Sequence, residues 1–355
     1  ADLLDLSSQA FLRRQAPKGH LGFTDEIDIL HAAGAPGKYQ CEVDDYRVFT
    51  AKLEGRDLRL IHVTDAHLTS LQRAGADCWR GKRALGYLSW QRKRRHQYRP
   101  ERLAALTEAV AEESPDVILI GGDLVHVGLP EEIAAATPWL ERLAAIAQVM
   151  LVPGNHDVYA GDSWAAIATH WAPYLGVAMP SDAPSAEAVF PVEHTRGDVS
   201  LIGLSSACPT PVFLATGRLG SSQIARLATM LEAARQQGRF QCLLIHHPPL
   251  PGLAKWRRAL ADAPALEALL RQYGTDLVLH GHLHHNSRHV CADGLRVYGT
   301  ASASSITALA PAAYRCIDVQ ANAGGWDIRM TLKAVHADRG RQVLEEETWR
   351  RSRRA

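Results

Sequence analysis

Cysteine is scarce in this chain, aromatic residues make up only 6%, net charge is almost nil and long apolar runs are missing. The six cysteines (Cys41, Cys78, Cys208, Cys242, Cys291 and Cys316) stand far apart, with no C-x-x-C pair. That spacing indicates neither a zinc ribbon nor a disulfide framework, so a reducing compartment fits best. A net charge of +1, from 39 basic and 38 acidic residues, excludes any whole-molecule attraction to nucleic acid or anionic membrane. Such a bias has to be local. No run reaches the roughly 20 apolar residues that a membrane-spanning helix needs. The first residues, Ala1 to Leu6, are acidic and lack the basic-then-apolar order of a secretory signal. The expected compartment is the cytoplasm.

Histidine, by contrast, is abundant, with 17 residues, several clustered at the ends of apolar runs. The 355 residues suffice for one large domain, or for one domain and an extension. Residues 1–40 are irregular and punctuated by Pro17, Gly19, Gly34, Pro36 and Gly37, with one short helix expected over Leu3 to Arg14. Tyr46 to Thr50 and Leu58 to Val63 alternate about a turn at Gly55-Arg56-Asp57, which reads as a hairpin. Apolar strands then alternate with amphipathic segments. Val117 to Ile120, Val149 to Val152, Val199 to Leu204, Cys242 to Ile245 and Leu277 to Leu279 read as strands. Pro100 to Ala111, Pro130 to Ile146, Ser221 to Gln236 and Ala263 to Tyr273 carry helical spacing. Three further strands (Leu295 to Tyr298, Tyr314 to Val319, Trp326 to Leu332) follow without helices. This order predicts an α/β core of two packed sheets with helices outside. The catalytic domain is expected over residues 41–336, followed by a charged tail over 337–355 that reads as a frayed terminus.

Five short segments follow these strands: Asp65-Ala66-His67, Gly122-Asp123, Gly154-Asn155-His156-Asp157, His246, and Gly281-His282-Leu283-His284. In extended chain, residues i and i+2 share a side, so Asp65 with His67, and His282 with His284, can face one cavity. Carboxylate, amide and imidazole groups in these numbers suit two neighbouring transition-metal ions. Two cations about 3.5–4 Å apart need an anionic bridge, and Asp123 is the natural bridging carboxylate. A hydroxide between the ions, formed because metals acidify bound water, would be the nucleophile. Asp65 or His246 taken alone is better read as a turn or packing residue. That bland reading fails for seven ligand-competent groups in one ordered set.

The ordered set D-x-H, G-D, G-N-H-[D/E], H, G-H-x-H resembles the calcineurin-like metallophosphoesterase superfamily, over residues 60 to 285. The resemblance implies a four-layer α-β-β-α sandwich, two mixed β-sheets flanked by helices, with a dinuclear metal site at strand carboxyl ends. It implies that Asp65, His67, Asp123 and His284 hold one metal, and that Asp123, Asn155, His246 and His282 hold the other. His156 would donate a proton to the leaving oxygen, and Asp157 would orient it. Pro248 favours His246 over His247 as the ligand, because the family commonly places proline two residues after it. His126 stands where purple acid phosphatase relatives carry an iron-binding tyrosine, and reads as a cavity wall. The cofactors are two ions of Mn, Fe or Zn.

The reaction implied is hydrolysis of a phosphate ester, a phosphodiester first, since the motif forms resemble the phosphodiesterase branch. A phosphomonoesterase and a pyrophosphatase of a nucleotide-linked lipid, of the diacylglucosamine type, are the alternatives. A non-enzymatic scaffold is disfavoured, because every ligand and the histidine are present. The segment from Trp79 to Arg99 has eight basic residues, interleaved aromatics and no acidic residue. It reads as an insertion near the site. A solvated helix face, a patch for an anionic membrane surface and a clamp for a nucleotide or polyanion all fit it. No specific nucleic-acid partner and no particular substrate-binding residue is indicated.

Overall fold

The computed structural model describes residues 57–72, 74–176, 185–307, 309–336 and 340–353. The expected extension over residues 1–40, its short helix and the first strand of the expected hairpin lie outside the described residues.

Two six-stranded sheets form the core. The first takes the order β14-β13-β12-β1-β2-β3 and the second β4-β5-β6-β7-β9-β8. In chain order the strands are β1 (Leu58–Val63), β2 (Val117–Ile120), β3 (Gln148–Leu151), β4 (Val192–Arg196), β5 (Val199–Leu204), β6 (Phe240–Ile245) and β7 (Leu277–His280). Then come β8 (Ser287–Val290), β9 (Arg296–Gly299), β12 (Ala313–Asn322), β13 (Gly325–His336) and β14 (Gly340–Ser352), with β10 (Ile306–Thr307) and β11 (Ala310–Pro311) as a small separate ribbon. Both sheets are mixed: β1 runs parallel to β2 but antiparallel to β12, and β7 runs parallel to β9 while β8 runs antiparallel to it.

The helices are α1 (Gly81–Arg92), α2 (Pro100–Glu112), α3 (Pro130–Ala144), α4 (Ser163–His170), α5 (Ala186–Val189), α6 (Ser221–Gln236) and α7 (Ala263–Tyr273). Their placement follows from strand alternation. Leu201, Cys242, Leu244, Leu277 and Leu279 turn inward and join the large core with the first sheet, α2 and α3. Their neighbours Ile202, Leu243, Ile245 and Val278 turn outward onto Leu227 and Leu231 of α6 and Leu266 and Leu270 of α7. The result is the expected layering of helices, sheet, sheet and helices. Among the described residues no helix is long and apolar enough to cross a membrane.

Three expectations change. Leu58–Val63 is a central strand held between β2 and β12. The basic segment is only partly a solvated face: Arg83 is buried and donates to Asp162 and to the Val127 and Gly128 carbonyls. The charged tail is not frayed, because Gly340–Ser352 pairs along the whole of β13. Its charges are used rather than solvated. Glu347 accepts from Arg288, Arg296 and the Tyr298 hydroxyl of the second sheet, and Arg351 pairs with Asp276. A charged sequence made this strand read as a terminus, whereas its partners are charges on the facing sheet.

Two predictions follow from these contacts. Glu347→Ala should cost about 1.5–3 kcal/mol of stability, the range for hydrogen bonds to charged groups. Glu346→Ala, an exposed neighbour on the same strand, should stay within about 0.5 kcal/mol of wild type in urea unfolding. The second concerns acid. Burial pushes the Asp318 carboxyl up, but hydrogen bonds from Arg59 and Arg329 outweigh it and hold the group below its ordinary value. A depressed folded value contributes stability above the unfolded value of about 4 and loses it as pH falls further. Asp318→Asn should therefore be less stable at neutral pH and should lose part of the acid dependence in paired urea titrations.

Candidate metal centre

The carboxyl ends of β1, β2, β3, β6 and β7 deliver five loops to one place. Backbone hydrogen bonding carries on past the strands: Asp65 N–H donates to the Gly122 carbonyl at 2.8 Å and His67 N–H to the Asp123 carbonyl at 3.0 Å. Among the described residues, seven non-glycine residues have positive φ, and five of them are Asp65, His67, Asp123, His282 and His284. Left-handed backbone costs an ordinary residue of order 1 kcal/mol or more, so this concentration is strain stored at the site. Gly154 and Gly281 permit the close loop approach. A Cβ on Gly154 would collide with the Asp123 carboxylate, and one on Gly281 with Thr64 and Asp65.

Two groups of ligand atoms result. Asp65, His67, Asp123 and His284 each offer one atom within 4.8 Å of the others, and so do Asp123, His246 and His282. Asp123 belongs to both. In the first group His284 Nε2 lies 3.1 Å from Asp65 Oδ1 and 3.3 Å from His67 Nε2. In the second, His246 Nε2 lies 3.4 Å from Asp123 Oδ2 and 3.2 Å from the Asn155 side-chain oxygen. His247 turns elsewhere, to Ser206 and the Ala215 carbonyl.

The tautomers show what the centre can hold. His67 Nδ1 must donate to the Val125 carbonyl and His246 Nδ1 to the Gly121 carbonyl, since a carbonyl only accepts. In the neutral rings both Nε2 atoms then present lone pairs to the Asp123 carboxylate, and His246 Nε2 also to the Asn155 oxygen. His282 Nε2 is buried without a partner. Acceptors facing acceptors in a buried site call for a cation. Burial alone would push His246 down, but the adjacent Asp123 carboxylate raises it to about 9, which shows the pull of this site toward positive charge. Burial pushes His67 and His282 well below the ordinary histidine range, which keeps them neutral and ligand-competent. Oxygen and imidazole donors without a thiolate fit transition-metal ions such as Mn, Fe or Zn.

The Asp157 carboxylate makes its hydrogen bonds away from the His156 ring. It accepts the backbone N–H groups of Asp123, Leu124, Val125 and Gly154, tying the two loops together. The His156 ring is held instead by the His126 carbonyl on Nδ1, and its backbone N–H donates to Asp123 Oδ1 at 2.7 Å. Burial, then the Arg94 cation, push His156 well below its ordinary value.

Sequence reasoning missed two neighbours. Arg94 Nη1 lies 3.1 Å from His156 Nδ1, and Tyr98 Oη lies 2.9 Å from His284 Nδ1. Residues 97–99 reach the centre because they pair with Ser304 to Ile306. The absence of acidic residues from this segment was the available signal. His126 is a wall, stacked on His67 at 5.3 Å.

Two sheets with acidic, amide and imidazole groups converging at their strand tips define a metallohydrolase scaffold. The calcineurin-like phosphoesterase family profile matches residues 58–286, so the chain belongs to the calcineurin-like phosphoesterase family. It is similar to a probable cyclic nucleotide phosphodiesterase of Synechococcus sp. (strain WH7803), 27% identical over 244 residues, 66% of this chain and 77% of the relative. A second probable cyclic nucleotide phosphodiesterase, from Synechococcus sp. (strain ATCC 27144 / PCC 6301 / SAUG 1402/1), is 30% identical over 52% of this chain and 63% of its own length. The fold is similar to that of a dimetal phosphatase from Danio rerio, at a TM-score of 0.55 and 15% identity over 83% of this chain and 99% of the other. It is also similar to purple acid phosphatase PPD1 of yellow lupin, at 0.52 and 14%, over 82% of this chain and 53% of that one.

Mn²⁺ or Zn²⁺ at a hundredfold excess over its dissociation constant should stabilise the protein by about 3 kcal/mol. Chelation should reverse the effect, and Asp123→Asn should abolish most of it. Thermal unfolding with and without metal, alongside elemental analysis, reads both.

Proposed function

We propose that this protein is a metal-dependent phosphodiesterase, with metal ions held by Asp65, His67, Asp123 and His284 on one side and by Asp123, Asn155, His246 and His282 on the other. The observation that carries the reading is Asp123, a buried carboxylate common to two groups of ligand atoms and in contact with the His156 backbone. Metal ions bound there would neutralise phosphoryl oxygens and acidify a water molecule. The remaining work belongs to the chain.

Water attacks phosphorus in line with the departing oxygen and gives up a proton to solvent as the phosphorus bond to that oxygen breaks, while His156 supplies the departing oxygen with a proton. Since Nδ1 is fixed on the His126 carbonyl, Nε2 is the atom that exchanges it. His156 is neutral in the substrate-free protein, and an anionic phosphate beside it favours the imidazolium form. Arg94 adds a positive charge that attracts the phosphate and disfavours a charged His156 until the phosphate arrives. Asp157 and the left-handed loops hold the donors in place before substrate binds, so little reorganisation accompanies the reaction. The phosphodiester preference draws on the two Synechococcus relatives, whose names put cyclic nucleotides on the substrate panel beside glycerophosphodiesters, nucleotide-linked lipids and monoesters.

Metal-loaded protein should turn over bis(p-nitrophenyl) phosphate. His156→Ala should lower kcat by about 10²–10⁴-fold, the usual worth of a positioned acid, while metal content is kept. Asp123→Ala should lose metal and turnover together. A metal-loaded protein inert on both mono- and diester probes would refute the hydrolase reading. Joint loss of metal and turnover in His156→Ala would make His156 a ligand instead.

A further inference from the structure

Beside the centre lies a cavity of about 190 Å³ whose lining includes Trp90, Tyr98, His126, Ser304, Arg95 and Arg99. Two buried polar atoms on this lining have no hydrogen-bond partner, Ser304 Oγ and His126 Nδ1, and both residues are only 1% exposed. Buried polar groups are ordinarily satisfied, so these two atoms mark a polar stretch of the wall with hydrogen-bonding capacity in reserve. Trp90 and Tyr98 add aromatic walls. Arg95 and Arg99 form no ion pair with a carboxylate among the described residues, which leaves positive charge at the cavity. His67 also lines it, and Tyr98 hydrogen-bonds His284, so two of its walls touch the candidate metal ligands.

Aromatic walls with polar residues among them and uncompensated arginines together suit a planar ring joined to an anion. Stacking on aromatic side chains and on guanidinium planes is how proteins hold nucleobases irrespective of sequence. The volume lies below the roughly 300–1,000 Å³ of sites for drug-sized ligands, so one ring system fits and a pair of acyl chains does not. We infer that this cavity is the subsite for the nucleobase of a nucleotide substrate whose phosphate sits at the metal centre. The assignment rests on the phosphoesterase reading. It also separates two roles open to the segment from Trp79 to Arg99, in favour of nucleotide recognition over lipid docking.

The test is calorimetric titration of the full metal-loaded chain with adenosine 5′-monophosphate, ribose 5-phosphate and inorganic phosphate. All three carry the phosphate, and only the first carries a base. The nucleotide should bind at least tenfold more tightly than ribose 5-phosphate. Ser70→Trp, an exposed position on the lining that the new ring would fill, should erase that advantage. The double variant Arg95→Gln, Arg99→Gln should reduce it severalfold, and thermal unfolding shows that each variant is folded. Adenosine 5′-monophosphate should inhibit bis(p-nitrophenyl) phosphate hydrolysis competitively. Equal binding of nucleotide and ribose 5-phosphate, an unchanged advantage in folded Ser70→Trp, or inhibition that leaves KM unaltered would overturn the assignment. Binding is read as heat and not as turnover. A protein that discriminates the nucleotide yet hydrolyses nothing would therefore sink the hydrolase reading and leave the pocket standing.

Discussion

Asp123 Oδ2 lies 3.4 Å from His246 Nε2 and 3.9 Å from His67 Nε2, in a place with almost no access to water. Backbone carbonyls take the Nδ1 proton of both rings, so the neutral imidazoles can only present lone pairs to that carboxylate. Like-natured acceptors this close repel unless positive charge lies among them. Much else in the molecule serves to hold this arrangement. Asp157 gives up its whole carboxylate to backbone N–H groups of the two neighbouring loops, and glycines at 154 and 281 allow those loops to touch.

The same constraint accounts for the unusual backbone. A side chain on a strand points to one face of the sheet or the other, so aiming it past the strand end requires the chain to turn sharply. Asp65, His67, Asp123, His282 and His284 make that turn in left-handed conformation. The strain is offset by hydrogen bonds between loops, such as Asp65 N–H to the Gly122 carbonyl. A centre built this way is rigid before any substrate arrives, which is the condition under which fixed charges act most strongly on a reacting group.

The sequence was most legible where local patterning and tertiary demand agree. Ser221–Gln236 and Ala263–Tyr273 are helices to the residue, because each has one continuous apolar stripe and a plain stop. The inner strands also read well, as short apolar runs ending in turn residues. Reading failed where partners came from afar. Gly340–Ser352 looked like a solvated tail because its charges are satisfied by Arg288, Arg296 and Asp276, which are remote in the chain. The resemblance implies that Asp157 orients His156, whereas its four hydrogen bonds go to main-chain groups that no side-chain pattern reveals.

Residue order determined an α/β core of two sheets and the ligand candidates, since strand tips followed by Asp, Asn and His leave few other uses for those groups. The resemblance to the phosphoesterase family, which commonly places proline two residues after this ligand, favoured His246 over His247 and implied the four-layer sandwich. Tertiary structure decided which nitrogen of each histidine is free, that Arg94 and Tyr98 reach the centre, and that Trp90, His126 and Ser304 line one cavity. These outcomes depend on distances between segments brought together by sheet pairing and by the 97–99 to 304–306 contact. Composition and spacing record what a chain carries at each position, while the direction of a lone pair is set only once its neighbours are in place.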